Sequence, residues 1–302
     1  MMIKSETMNK IREESNQWRE LEQSLLAYHF DDGSIERVLE ALKAYQNEDG
    51  GFGHGIESDF HLPLSTPMAT TVAMQILIKL EQNNQVIEMV KNAIKYFEAN
   101  YIPARKGWFA LRKEVNDFPH APWWHFNSEN GQTVIDKFWG NPSAEIISYL
   151  LAYQQFITTI DIDALKEYTI EYFLACNQLE SPHEIYCFIR LYQQLNSQDQ
   201  LRIRNHLVKA IRNLVCYDQE KWKTYVSMPL DFIEKIDNET FELVEEEIRK
   251  NEKYFMELLD EQGRIEPHWS WGVYEEAWQG ARASWCGVLT LKKLYYFKRQ
   301  KP

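Results

Sequence analysis

Residues 46–61 read QNEDGGFGHGIESDFH, and residues 62–67 continue as LPLSTP before a new apolar run begins. Gly50, Gly51, Gly53 and Gly55 would each cost about 1 kcal/mol against alanine inside a helix, so no helix passes through this stretch. It reads instead as a long loop between two helices, with Phe52 as an apolar anchor among the glycines. It carries Asp49, His54, Glu57, Asp59 and His61, all capable of proton transfer or ligation.

Outward from the loop, helical patterns follow on both sides. Before it, Ser34 precedes Ile35, Val38, Leu39 and Leu42, whose spacing is that of one buried helix face. After it, Thr66 as a capping residue and Pro67 in the first turn launch Met68, Val72, Ile76, Leu77 and Leu80. The same opening is expected at Asn141-Pro142 and Ser181-Pro182, and a short helix is expected after Met228-Pro229. Further helices are expected over 86–100, 164–176, 201–215, 238–259 and 281–297. An N-terminal helix over 7–30, ending at Asp31-Asp32-Gly33, is expected to dock on the domain. Alternating strand patterns do not persist anywhere, so the chain reads as all-α.

Cap-proline openings at unequal intervals suggest repeated helical hairpins with insertions on one side. Closed into a ring, such hairpins make an α/α toroid, a barrel of inner and outer helices spanning 1–302 as a single domain with 1–33 as an N-terminal helical extension. The segments 47–66, 101–140, 216–228 and 260–280 are then expected to gather at one mouth.

Composition narrows the partners. The 302 residues carry a formal charge of −12, which disfavours a nucleic-acid backbone or an anionic membrane surface. Residues 1–20 lack the apolar core of a secretory signal, and no apolar run approaches a membrane span, so a cytoplasmic location is expected. Cys176, Cys187, Cys216 and Cys286 are scattered through apolar helical patterns, which predicts buried free thiols rather than disulfides or a zinc site. Aromatic residues make up 14% of the chain, enough to ask whether they fill a core or line a cavity.

The stretch ALKAYQNEDGGFGHG resembles the QW-type repeat of terpene cyclases and protein prenyltransferase β subunits. Gln46, Asp49, Gly50, Gly51 and Phe52 carry the match, and LLDEQGRIEPHWSWG, residues 258–272, is a degenerate echo through Asp260, Gly263 and Trp269. The resemblance implies an α/α toroid in which Gln46 and Phe52 tie one helix end to the start of the next. It speaks to fold rather than reaction, since the repeat is structural. The Asp-x-Asp-Asp acid of the cyclases is absent, with Glu57-Ser58-Asp59-Phe60 as the nearest acidic cluster, and the zinc ligands of the prenyltransferases are not recognisable.

Three segments are candidate sites. Glu57 and Asp59, with His54, are candidates for acid or base work, provided burial or a neighbouring carboxylate raises one pKa, and His61 joins them as a binding residue. His120, Trp123, Trp124 and His125 form the second segment, whose adjacent tryptophans either plug a barrel or line its pocket. Glu266, His268, Trp269, Trp271, Glu275 and Trp278 form the third, mixing acids and aromatics as ligand cavities do.

The leading expectation is a protein that binds an apolar or isoprenoid-like ligand, with Glu57 or Asp59 as acid or base. A carbohydrate-active barrel using two carboxylates such as Asp59 and Glu275 is the alternative, distinguishable by their separation. A non-catalytic binding protein is the third reading. No motif assigns a cofactor, which leaves Mg²⁺ and Zn²⁺ open and no metal ligand named.

Overall fold

The computed structural model describes residues 3–237 and 239–300. Among them, twelve α-helices carry the fold: α1 (Ser5–Ser15), α2 (Glu20–Phe30), α3 (Ile35–Lys43), α4 (Pro67–Leu77), α5 (Asn84–Ala99), α6 (Gly140–Ala152), α7 (Ile162–Ala175), α8 (Pro182–Gln194), α9 (Ser197–Leu214), α10 (Pro229–Ile233), α11 (Glu245–Gln262) and α12 (Glu275–Arg299). Extended pairing among the described residues is confined to isolated bridges, so the all-α expectation holds. None of these helices is long and apolar enough to cross a membrane.

Contacts divide the chain into two compact units. The first combines residues 1–43 with 215–302, and the second is the continuous run 44–214.

In the first unit α1 packs on α11 and α2 packs on α12, so helices from the two halves of this unit share one core. Ile11, Trp18, Leu21, Leu25 and Leu26 are buried there, as are Phe255, Leu259, Leu294 and Phe297. The expected single helix over 7–30 is two helices. Trp18 ends a turn by donating its backbone N–H to Ser15 O at 3.0 Å, and the break lets its indole into the core. Helix α11 starts at Glu245 rather than 238, and Asn238 lies outside the described residues. It stops where Gly263 takes a left-handed conformation (φ 69°), a terminator that favours glycine. The last helix begins at Glu275, earlier than expected, so the connecting segment closes at Tyr274.

In the second unit α6 packs most extensively against α8, with α4, α7 and α9 around them. Small residues allow that approach. A Cβ at Gly140 would lie 2.5 Å from the Phe188 ring and 2.8 Å from Glu184 Cγ. Two of the cap-proline openings form as expected. Ala69 N donates to Thr66 Oγ1 at 3.0 Å, and Glu184 N donates to Ser181 Oγ at 3.4 Å. The third differs, because α6 starts at Gly140, two residues before Pro142, and Asn141 interrupts it with φ −106° and ψ 105°.

The segment 101–139, expected as a plain loop, holds three single 3-10 turns, Lys113–Asp117, Pro122–Trp124 and Val134–Lys137. Asp136 organises it. Its carboxylate accepts from Thr133 N (2.8 Å), Thr133 Oγ1 (2.7 Å) and Ala110 N (2.6 Å). Trp108 is fully buried and donates to Phe97 O at 2.8 Å, which ties the segment to the end of α5.

Candidate functional site

The glycine-rich loop is held by its own polar groups. Gln46 pairs with Phe52 in an antiparallel bridge, and its amide donates to Gly50 O at 3.1 Å. Asp49 Oδ1 accepts from Gly51 N (3.0 Å) and from Ser65 Oγ (2.7 Å). Asn47 donates to Pro63 O and Ser65 Oγ, at 3.0 and 2.9 Å. Phe52 is fully buried. Its N–H donates to Thr70 Oγ1 at 3.0 Å and its carbonyl accepts from Thr66 N at 3.1 Å, so the loop is tied to the first turn of α4. Gly53 is obligatory here, because a Cβ would sit 2.3 Å from Pro63 O and 2.4 Å from Leu64 O.

That frame delivers Glu57 and Asp59 into the interior, at 6% and 4% exposure. Glu57 Oε2 accepts from Asp59 N at 2.7 Å, so one carboxylate shapes the backbone that presents the other. His54 stays exposed, in the left-handed region (φ 54°), and hydrogen-bonds Asn47 Oδ1 at 2.8 Å. His54 therefore belongs to the loop's scaffolding. His61 is half-buried.

The second candidate segment meets the first. Phe60 and His120 form an antiparallel bridge, with His61 N donating to Pro119 O (2.9 Å) and Ala121 N donating to Asp59 O (2.8 Å). Bonds that flank a pair in this way make Phe60 and His120 the closely spaced, non-hydrogen-bonded pair of the ladder. His120 is buried. Its Nδ1 hydrogen-bonds Phe118 O at 2.6 Å, and its Nε2 lies 3.2 Å from Nδ1 of the exposed His125, the two rings stacked at 5.4 Å. The Nδ1–H donated to a carbonyl would fix the tautomer and leave Nε2 as an acceptor. Trp124 is buried with its ring edge-on to Phe60 at 5.5 Å, and its indole Nε1 has no hydrogen-bonding partner. Trp123, in the same 3-10 turn, is half-buried.

The third segment lies in the first unit. Glu266 is clamped by Arg264 Nε (2.9 Å) and Nη2 (2.7 Å) and by Arg282. Burial pushes its carboxyl up, but hydrogen bonds from Arg282 and Arg264 outweigh this and hold it below the ordinary range. His268 and Trp269 are half-buried, whereas Trp271 and Trp278 are buried and pack at 5.7 Å. Glu275 is exposed in the first turn of α12, where it accepts from Gln279 at 3.0 Å and complements the helix dipole. Glu275 and Trp278 are helical residues, not loop residues. Asp59 and Glu275 belong to different units.

Two further polar clusters carry no signal in the sequence, because their members are remote from one another. In the second unit Glu145 accepts from Gln75 (2.8 Å) and Tyr149 (2.7 Å) and sits 3.4 Å from Arg190, while burial, then the Glu145 charge, pushes the Cys187 thiol well up. In the first unit Lys293, 4% exposed along its side chain, reaches Asp231 at 2.9 Å and Glu234 at 2.6 Å. All four cysteines are free thiols, with Cys187 and Cys286 buried but Cys176 and Cys216 only half-buried. Among the described residues no group of three or more His, Cys, Asp or Glu is placed to hold a metal ion.

No family model matches the chain, and no curated protein or solved structure matches it significantly. The chemistry of the site therefore rests on its own residues.

Proposed function

We propose that the protein is an enzyme whose acid–base site is built from Glu57, Asp59 and His120, on an apolar floor of Phe60 and Trp124, and that it acts on a neutral small molecule. The observation that carries this reading is the Phe60–His120 bridge, which lays the segment bearing two buried carboxylates alongside a buried imidazole. Acids and bases brought together in a protein interior are concentrated where protons are moved.

For the ligand, the resemblance of residues 46–52 to the QW-type repeat supports an apolar or isoprenoid-like molecule held in an α/α toroid. The toroid and the cytoplasmic location are parts of this proposal. One observation favours the alternative, a carbohydrate-active enzyme. The buried indole N–H of Trp124 requires an oxygen acceptor, which a saturated hydrocarbon does not supply and a hydroxylated ring does.

A thermal-shift panel of neutral terpenes, an epoxidised isoprenoid and mono- and disaccharides, each with and without Mg²⁺ and Zn²⁺, separates the readings. Ligand at a hundred times its dissociation constant stabilises by about 2.7 kcal/mol, well within the resolution of a melting curve. Glu57→Gln and Asp59→Asn are expected to abolish turnover of whichever class shifts the melt. Unchanged turnover in both variants would sink the acid–base assignment.

A further inference from the structure

The first unit holds a second place where buried polar atoms lack partners. The segment from Arg264 to Tyr274 is anchored at its start, with Ile265 N donating to Thr290 Oγ1 at 2.9 Å and Glu266 fixed by Arg264 and Arg282. Directly after Pro267, the segment buries two ring nitrogens, His268 Nε2 and Trp269 Nε1, and neither meets a hydrogen-bonding partner. Buried polar atoms in native proteins are overwhelmingly paired, so two orphans on consecutive residues call for a function. The Trp269 ring stands edge-on between two others, Tyr225 at 5.7 Å and Trp285 at 5.1 Å. These rings run from the surface inward, since Tyr225 is 59% exposed and Trp285 is half-buried.

We propose that His268, Trp269, Tyr225 and Trp285 form a binding site for a neutral, hydroxyl-bearing ring compound of the saccharide type. Each part of that class answers a group in the site. Indole Nε1 only donates, so the ligand must present a hydrogen-bond acceptor, which a hydroxyl oxygen supplies. Imidazole Nε2 either accepts or donates, and a hydroxyl satisfies it in both forms. The aromatic faces take the C–H face of a saturated ring, which provides apolar area beside the hydroxyl edge. Charge favours neutrality. The two carboxylates that act on His268, those of Asp231 and Glu266, are already engaged by Lys293 and by two arginines, leaving no unanswered charge for an ionic ligand. Burial, the largest influence on His268, lowers its proton affinity against the opposing pull of Asp231 and Glu266. Both nitrogens are sealed from water, so a ligand reaches them only when a covering side chain moves, and Tyr225 is the exposed member of the three rings. The segment then ends on two left-handed residues, Gly272 (φ 68°) and Tyr274 (φ 50°), before α12 resumes regular structure.

This site shares no residue with the Glu57–His120 site and does not rest on that reading. Isothermal titration calorimetry of the full chain with glucose, maltose, cellobiose and xylobiose tests it. At least one disaccharide is expected to bind the wild-type chain. Trp269→Phe, which keeps an aromatic ring and removes the donor, is expected to weaken that binding about five- to tenfold, and His268→Phe by a comparable factor. No heat with any of the four sugars overturns the proposal, whatever the variants do. So does binding that both Trp269→Phe and His268→Phe leave intact, or binding lost in Asp59→Asn while Trp269→Phe keeps it. In that last case the sugar belongs to the other site. Circular dichroism of each variant separates loss of binding from loss of fold.

Discussion

The loop over residues 46–66 and the segment over 264–274 both connect helices, and both concentrate aromatic and charged residues, yet they treat polar atoms in opposite ways. In the first, Asn47, Asp49, Ser65 and Thr70 pair the loop's amides and hydroxyls, and glycine is used where a side chain would strike backbone. In the second, the arginine clamp on Glu266 is followed at once by two orphaned ring nitrogens, close to a buried knot of Lys293, Asp231 and Glu234. The contrast separates scaffold from binding surface. A fully paired loop is a rigid mount, whereas an unpaired donor costs roughly 1–3 kcal/mol and persists where something else completes it. By the same criterion Trp124, orphaned within an otherwise paired frame, marks where the loop stops being scaffold.

The largest effect is expected in the first unit. Lys293→Ala removes the cation shared by Asp231 and Glu234, leaving Glu234 to Lys235 at 3.0 Å, and should cost about 3–4 kcal/mol in urea unfolding, the lower part of the range for breaking a buried pair from one side. A loss under about 1 kcal/mol would mean that the knot is solvated and that the contrast between the units is overstated. The same knot sets an acid limit. Burial pushes the Glu234 carboxyl up, but the charges of Lys235, Lys293 and Lys292 overcome it and hold the pKa well below its ordinary value of 4.5. A depressed carboxyl contributes fully above pH 4.5 and loses that contribution as pH falls toward the folded value. Burial lowers Lys293, but Asp231 and Glu234 raise it above 10.5, so its contribution is complete below that pH and is lost as pH rises through the folded value. Wild-type stability should therefore decline on acidification below about pH 4.5, and Lys293→Ala should flatten that decline. Equal acid slopes in the two proteins would remove the knot from the explanation.

Gly53→Ala should follow, at about 3 kcal/mol, because its Cβ would meet two backbone carbonyls that cannot yield as a flexible side chain would. A melting temperature equal to wild type would show that the loop is less rigid than its hydrogen bonds imply. Asp49→Ala should cost about 1–3 kcal/mol by leaving Gly51 N and Ser65 Oγ without their acceptor. Asp49→Asn, which keeps an acceptor oxygen, should recover part of that loss. Trp124→Phe is expected to have the smallest effect on stability, about 1 kcal/mol or less, since the donor it removes has no partner. It should nonetheless weaken an oxygen-bearing ligand of the Glu57–Asp59 site severalfold in the same thermal-shift panel. A large stability loss with unchanged ligand response would return Trp124 to the core.

Most helices were legible because their signals are local. Thr66-Pro67 and Ser181-Pro182 place a capping oxygen and a preset φ next to an apolar face, and those helices begin there. Asn141-Pro142 offers the same pair, yet α6 begins before it, because Gly140 N is taken by Glu184 Oε1 at 2.8 Å, from a helix more than forty residues away. The long helix expected over 7–30 failed for a similar reason, since burial of Trp18 between two helices outweighed a polar sequence with good helix propensity. Glu57, Asp59 and His120 were all named from the sequence as site residues, but nothing in their spacing announced the Phe60–His120 bridge that joins their segments. Tyr225 and Trp285 were passed over. They lie sixty residues apart along the chain and meet only across Trp269.

The amino-acid sequence by itself determined the helical class, the capped helix starts and the glycine-rich break at 50–55, because each depends on backbone preferences and contacts within a few residues. Tertiary structure alone decided which polar groups would be paired. Lys293 finds Asp231 across 62 positions and Glu234 across 59, and Asp136 finds Ala110 across 26. His268, Trp269 and Trp124 find no partner. Hydrogen bonds and ion pairs act over a few ångströms of space without regard to distance along the chain, so which buried atoms were satisfied became visible only once the helices had packed.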